Sequence, residues 1–167
     1  MNPPFPAARD EAPAASQVKR PFDFGQFVSR EFNFLYVLAS CCLLVFVPFG
    51  VNGWNIAGRA LWLVGAMMGD LVLVQGFKHL CYIPRPKAVN PFCWGRRAHS
   101  GFPSGHTLPA FLLATLLVQV HPKLWPWFAA AALIGWARWR VRAHFGYQVV
   151  LSALLGIGLG WVAGHVL

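Results

Sequence analysis

Two histidines, His106 and His144, and three cations, Lys78, Arg85 and Arg138, are set into a chain that is otherwise mostly apolar. An arginine presents a planar fork that matches phosphate oxygens, and a lysine adds a point charge. An imidazole can attack as a nucleophile or carry a proton. These types together suit phosphoryl transfer, because its transition state spreads negative charge over three oxygens that fixed cations stabilise. Between the cations lies Gly101-Phe102-Pro103-Ser104-Gly105-His106-Thr107. Ser104 reads as an N-cap, Gly105 lets a ligand approach the backbone, and the apolar run from Leu108 reads as a helix. The N–H groups of its first turn would then form an anion cradle. Ser-Gly-His alone is weak evidence, since most such tripeptides are ordinary caps, and its weight comes from the surrounding cations.

The elements that must position these groups follow from composition. Of 167 residues 57% are hydrophobic and 11% charged, too few polar residues to cover a soluble globule, so the expected fold is all-α, a polytopic membrane helix bundle. Residues 1–21, rich in Pro and Ala, read as a disordered tail, and residues 22–167 as a single membrane domain. In the stretch Asp23 to Phe32, the residues Phe24, Phe27, Val28 and Phe32 recur at helical spacing beside Gln26, Ser29, Arg30 and Glu31. That pattern fits a short N-terminal interfacial helix or the entry turn of the next span. About five transmembrane helices follow: Phe32 to Phe49, Ile56 to Phe77, Thr107 to Val120, Leu124 to Val141 and Tyr147 to Leu167. Gly65, Ala66 and Gly69, Ala129 to Ala132 with Gly135, and Gly156, Gly158, Gly160 and Gly164 are expected to let these helices pack closely.

Antiparallel spans bring the groups together. Lys78 and Arg85 follow the second span, Ser104, Gly105 and His106 open the third, and Arg138 and His144 lie between the fourth and fifth, all on one side of the membrane. The acids argue against other chemistries. Asp10, Glu11, Asp23 and Glu31 lie in the first 31 residues, leaving Asp70 as the one carboxylate of the membrane body. Paired-carboxylate catalysis and a carboxylate-rich metal site are thereby disfavoured. No nucleic-acid-binding motif is visible, so the basic excess points to lipid head groups and not to nucleic acid.

Lys78-x6-Arg85-Pro86, Pro103-Ser104-Gly105-His106 and Arg138-x5-His144 resemble the three-part signature of the type 2 phosphatidic acid phosphatase and vanadium haloperoxidase superfamily, over about Lys78 to Gln148. The resemblance implies a metal-independent hydrolase of a phosphate monoester or diphosphate on a membrane lipid, with no cofactor. It implies that His144 attacks phosphorus to form a phosphohistidine while His106 protonates the leaving oxygen and then activates water. Lys78, Arg85, Ser104, Gly105 and Arg138 would hold the phosphoryl oxygens. It implies a multi-pass protein of a bacterial cell membrane with its active face outside the cytoplasm.

Two positions depart from that pattern. Ala137 stands where the family usually has Ser, and Gln148 where it has the Asp that orients the nucleophilic histidine. Gln148 could accept a hydrogen bond from His144 but without the charge, and loss of such a charge in an analogous triad costs about 10⁴-fold in rate. A catalytically silent phospholipid-binding protein is therefore the alternative, and a haloperoxidase is a third reading, disfavoured because a small lipid-embedded bundle suits lipid substrates. Asp70 is expected to hydrogen bond within the bundle. Cys41 and Cys42 read as packing residues, whereas Cys81 and Cys93 flank one loop and could pair in an oxidising compartment. Twelve Lys and Arg lie on the site side against Arg59 and Lys123 opposite, a bias that favours a cytoplasmic site and conflicts with the resemblance.

Overall fold

The computed structural model describes residues 22–46, 55–81, 83–86 and 100–165. The expected tail at 1–21, Cys93 and most of the Tyr82 to Pro103 loop fall outside the described residues. Of the described residues 81% lie in helix and none lies in a strand. Among the described residues are five long helices: α1 (Phe24–Phe46), α2 (Ile56–Leu80), α3 (Thr107–Val120), α4 (Pro126–Arg140) and α5 (Gly146–Gly164). By length and apolar composition α1, α2 and α5 can cross a membrane, with 23, 25 and 19 residues, while α3 and α4 have 14 and 15.

The segment Asp23 to Phe32 is the beginning of α1 and not a separate interfacial helix. Asp23 caps it, its carboxylate accepting from the N–H groups of Gly25 (2.9 Å) and Gln26 (3.3 Å). A π-helical turn at Val28–Phe32 carries the chain on without a break. Of the expected apolar residues Phe24 and Phe27 are exposed, Phe32 is half-buried and Val28 turns inward with Gly25 and Ser29. Farther along α1, Tyr36 donates to the Ala110 carbonyl of α3 at 2.8 Å, and Ser40 accepts from Trp127 Nε1 of α4 at 2.8 Å. These bonds fix the rotation of α1 about its axis where apolar surface alone would not.

Helix α3 is the core. Thr107, Leu108, Ala110 and every residue from Leu112 to Leu117 are buried, so α3 meets protein on nearly all sides. Helix α5 packs on it through two glycines. A Cβ at Gly156 would lie 2.3 Å from the Leu108 carbonyl oxygen, and one at Gly160 would lie 2.8 Å from that of Leu112. Only a glycine permits that backbone approach, as in small-residue packing between membrane helices. Gly135 of α4 is nearly as tight, 3.0 Å from Val149. The small residues of α2 behave otherwise: a Cβ at Gly65 or Gly69 would meet nothing within 4 Å, and the same holds for Gly158 of α5. Close packing therefore belongs to α3, α4 and one stripe of α5, and α2 lies at the margin. Its inward residues are Leu63, Asp70 and Val74. Asp70 is buried as expected, but its Oδ1 has no hydrogen-bond partner.

Candidate active site

All the groups singled out by spacing come from one end of the bundle. Lys78 lies in the last turn of α2, whose helix runs on to Leu80, past the expected end at Phe77. Arg85 follows on an extended segment that is tied to the cradle by two bonds. Gly101 N–H donates to the Ile83 carbonyl at 2.6 Å, and Arg85 Nε donates to the Ser100 carbonyl at 3.0 Å. Lys78 also approaches the cradle directly, since a Cβ at Gly105 would lie 3.9 Å from its Nζ.

The cradle is a turn that leads into α3. His106, and not Ser104, occupies the N-cap position. Ser104 is fully buried two residues earlier, and its Oγ accepts from Thr107 Oγ1 at 3.0 Å and from Thr107 N–H at 3.4 Å. Its own hydroxyl proton remains for an anion. The Ser104 N–H donates to Ser152 Oγ of α5 at 2.8 Å, and Ser152 in turn donates to the Gln148 carbonyl at 2.6 Å. Gly105 is exposed beside them.

Between α4 and α5 the chain reverses through Arg142, which holds a left-handed φ of 55°. That conformation is uncommon for a residue with a side chain. It folds Ala143 and His144 back so that their N–H groups donate to the Arg138 carbonyl, at 3.0 and 3.3 Å. The imidazole of His144 is thereby placed beside the Gly101 carbonyl, 2.6 Å from Nδ1, with His144 only 2% exposed. A carbonyl can only accept, so Nδ1 carries the hydrogen and Nε2 holds the lone pair. A cavity of about 280 Å³, lined by Pro86, Trp139, Arg142, His144 and Phe145, opens beside it.

The expected contact between Gln148 and His144 is not made. Gln148 is fully buried, its Oε1 accepts from the Phe145 N–H at 3.0 Å, and its Nε2 donates to the Pro84 carbonyl at 2.9 Å. It is a strut between the Arg85 segment and the turn that holds His144. The Gly101 carbonyl takes the orienting position that a carboxylate would otherwise fill. A Cβ at Gly101 would come within 2.7 Å of both polar atoms of Gln148 and 3.0 Å of Arg85 Cγ, so a larger residue there would have to displace the Gln148 amide.

Burial is the largest influence on both histidines. It lowers His106 from 6.5 to about 4, aided by the fields of Arg138, Lys78 and Arg85. It lowers His144 to about 3, aided by Arg138 and, more weakly, Arg85 and Lys78, against a raising effect from the Gly101 carbonyl. The same three cations act on both imidazoles, so each histidine lies within electrostatic reach of all three. Arg138 is further held by Ser29 of α1, to which its Nη1 donates at 2.5 Å, and its buried Nε has no hydrogen-bond partner. An unpaired buried donor is costly, and a phosphoryl oxygen would satisfy it.

Sequence reasoning therefore grouped cations and histidines that the structure brings to one end of the bundle, and did not single out their neighbours Ser29, the Gly101 carbonyl, Pro84 and Ser152. Ser29 carried no signal of its own, since it was grouped with the polar residues at the start of α1. The Gly101 and Pro84 contributions are backbone atoms, which leave no mark in residue type.

A second hollow adjoins the site. An apolar groove of about 550 Å³ runs between α2 and α5, from Phe77 and Phe102 past Leu151, Leu155 and Gly158 to Val162. Phe77 and Phe102 meet edge to face, 5.9 Å apart, and their chain neighbours are Lys78 and Pro103.

The helical bundle thus combines three apolar helices long enough to cross a membrane with a cluster of three cations and two histidines at one end. Residues 59–167 match the PAP2 superfamily, and the chain belongs to that superfamily, whose members are in general phosphatases. No solved structure matches the chain.

Proposed function

We propose that the protein hydrolyses a phosphate monoester or diphosphate on a membrane lipid through a phosphohistidine. The observation that carries this reading is the pinned tautomer of His144: with Nδ1 donating to Gly101, the Nε2 lone pair is free beside three cations. In the first step Nε2 forms the bond to phosphorus as the bond to the leaving oxygen breaks, and His106 gives that oxygen a proton. In the second, water attacks the phosphohistidine, His106 accepts the proton of the water, and inorganic phosphate leaves with Nε2 restored. Lys78, Arg85, Arg138, the Ser104 hydroxyl and the Gly105 N–H hold the phosphoryl oxygens, with Arg138 Nε a donor in waiting. Gln148 acts by holding the site together and not on the reacting atoms.

A lipid substrate is supported by the apolar groove, which begins one residue from Lys78 and one from Pro103. An acyl or prenyl chain lying there would leave its phosphate at the cradle. The five-span reading is supported by the alternation of the helices, which puts the His121 to Leu124 turn and the start of α2 at the end opposite the site. Multi-pass insertion in a bacterial inner membrane with the site outside the cytoplasm belongs to the same proposal. A Cys81–Cys93 disulfide in protein from cells would support that face, and alkylation of both thiols by a membrane-impermeant reagent only after lysis would sink it.

One observation favours the silent phospholipid-binding alternative: the imidazole of His144 is oriented by a carbonyl dipole and not by a carboxylate. The deciding experiment is phosphate release by purified protein from a panel of lipid mono- and diphosphates, with a His144→Ala control. Release that disappears in the control is expected. No release from folded protein would move the assignment to the binding reading.

A further inference from the structure

We propose that Ser29 is a positioning residue for Arg138, so that helix α1 is part of the phosphate site and not merely an anchor beside it. This rests on the phosphoryl-site reading above. Ser29 lies 109 residues from Arg138 in the chain and outside residues 59–167, the part that matches the superfamily. Its side chain is nevertheless 3% exposed and accepts from Arg138 Nη1 at 2.5 Å.

The need for such a contact is electrostatic. Arg138 lies within electrostatic reach of Arg85 and Lys78, and these like charges repel it. A long arginine side chain can relieve that repulsion by swinging toward water. A carboxylate would hold it, yet it would also neutralise the guanidinium and compete with a phosphate. A hydroxyl oxygen holds one fork nitrogen without supplying a charge, and leaves Nε, buried and unpartnered, for the ligand.

The backbone around Ser29 is built for this approach. Ser29 sits in the π-helical turn Val28–Phe32, an irregularity that often marks functional positions. Four residues earlier, a Cβ at Gly25 would lie 3.3 Å from Val141 Cγ1 and 3.4 Å from Arg140 Cγ, so α1 is drawn tightly onto the end of α4. Asp23 fixes the start of the helix by capping it. Glu31, the acid of the same π turn, is exposed.

The test uses the full chain in mixed micelles with dioleoyl phosphatidic acid as substrate and orthovanadate as a transition-state mimic. Hydrogen bonds to charged groups are worth enough that Ser29→Ala is expected to lower kcat about ten- to a hundredfold. Inhibition by orthovanadate should weaken by the same factor, with KM little changed. Ser29→Thr, which keeps the hydroxyl, should recover most of the loss. If Ser29→Ala does not fold, Ser29→Cys replaces the oxygen with a weak acceptor at nearly constant shape, and the same loss is expected.

In an Arg138→Lys background, Ser29→Ala should add less than about a twofold loss, because the partner is already gone. Equal losses in both backgrounds would mean that Ser29 acts on the fold in general and would overturn the proposal. Unchanged kcat and vanadate inhibition in Ser29→Ala, with an active wild type, would overturn it while leaving the phosphatase reading intact. If the wild type releases no phosphate, calorimetric binding of orthovanadate decides: weaker binding in Ser29→Ala supports the role of Ser29. Equal binding, or none by the wild type, overturns it.

Discussion

His144 donates through Nδ1 to the carbonyl of Gly101 at 2.6 Å, a bond that joins the turn before α5 to the residue that opens the cradle of α3. It decides which nitrogen can react, and it does so with an uncharged partner. A carbonyl stabilises an imidazolium less than a carboxylate does, so in the proposed mechanism the cost of charging His144 would fall on the bound phosphoryl group. Gly101→Ala is expected to break this arrangement, because its Cβ would collide with Gln148 and crowd Arg85. The loss should exceed about tenfold in kcat/KM, the mark of a displaced catalytic group. Wild-type activity in Gly101→Ala would refute the assignment.

Gln148→Asp supplies a carboxylate but cannot donate to the Pro84 carbonyl, and it buries a charge beside the turn that Gln148 now supports. A lower melting temperature is expected, by about 1–3 kcal/mol of stability for a buried group left unpaired, with no gain in phosphate release. A faster enzyme would show that the strut is dispensable and that orientation by charge limits the rate.

With His106 lowered to about 4 and His144 to about 3, both imidazoles are neutral in the empty site at pH 7. An unfolded chain, whose histidines titrate near 6.5, binds more protons below that pH than the folded protein does. The stability due to these two groups is therefore complete above about pH 6.5 and is lost as pH falls toward 4 and then 3. Melting curves from pH 7.5 to 4.5 should show this fall, and Ala at both histidines should flatten it. An anion in the cradle opposes the three cations and raises His106, so orthovanadate binding at pH 7 should take up a proton. Calorimetry in buffers of different ionisation enthalpy reads that uptake directly, and zero uptake would leave His106 without its acid role.

Gly158 lines the apolar groove, and a Cβ there meets nothing. Gly158→Leu should fold normally and fill the groove. KM for a long-chain lipid phosphate is expected to rise a few-fold, not by orders of magnitude, because the displaced chain re-enters lipid and not water. Turnover of p-nitrophenyl phosphate should not change. Equal effects on both substrates would separate the groove from chain binding.

The glycines offer a paired comparison of packing. Gly156→Ala would set a Cβ 2.3 Å from a backbone oxygen that cannot move alone, and the folded protein should be lost or strongly destabilised. Gly65→Ala meets open space and should stabilise by about 0.5–1 kcal/mol, the helix-propensity gain of Ala over Gly. Thermal melting in one detergent compares the two, and equal effects would contradict the packing described for α5.

The site was legible where chemistry depends on side-chain type and on chain reversal. Lys78, Arg85, His106, Arg138 and His144 could be grouped because antiparallel helices return to the same end, and α3 begins and ends at the expected Thr107 and Val120. What was not legible depends on rotation about helix axes. Apolar length says nothing of which face a membrane helix turns inward, so Ser29 read as polar surface and Gly65 and Gly69 as packing positions. Gln148 was expected beside His144 because it stands where the family has its orienting Asp, whereas its side chain bonds the Phe145 N–H and the Pro84 carbonyl. The count of spans was blurred for a related reason. A buried helix such as α3 is as apolar as one that faces lipid, and 14 residues are short for a bilayer.

The bond from Ser104 N–H to Ser152 Oγ has a bearing on biosynthesis. Helix α5 leaves the ribosome after the other four, yet it carries the hydroxyl that holds the cradle turn and the glycines against which α3 seats. A nascent chain arrested before α5 would hold Lys78, Arg85, His106 and Arg138 without a rigid cradle and without the strut Gln148. Under the proposed function, a premature stop within α5 is expected to give a fragment that releases no phosphate, and not a weakened catalyst.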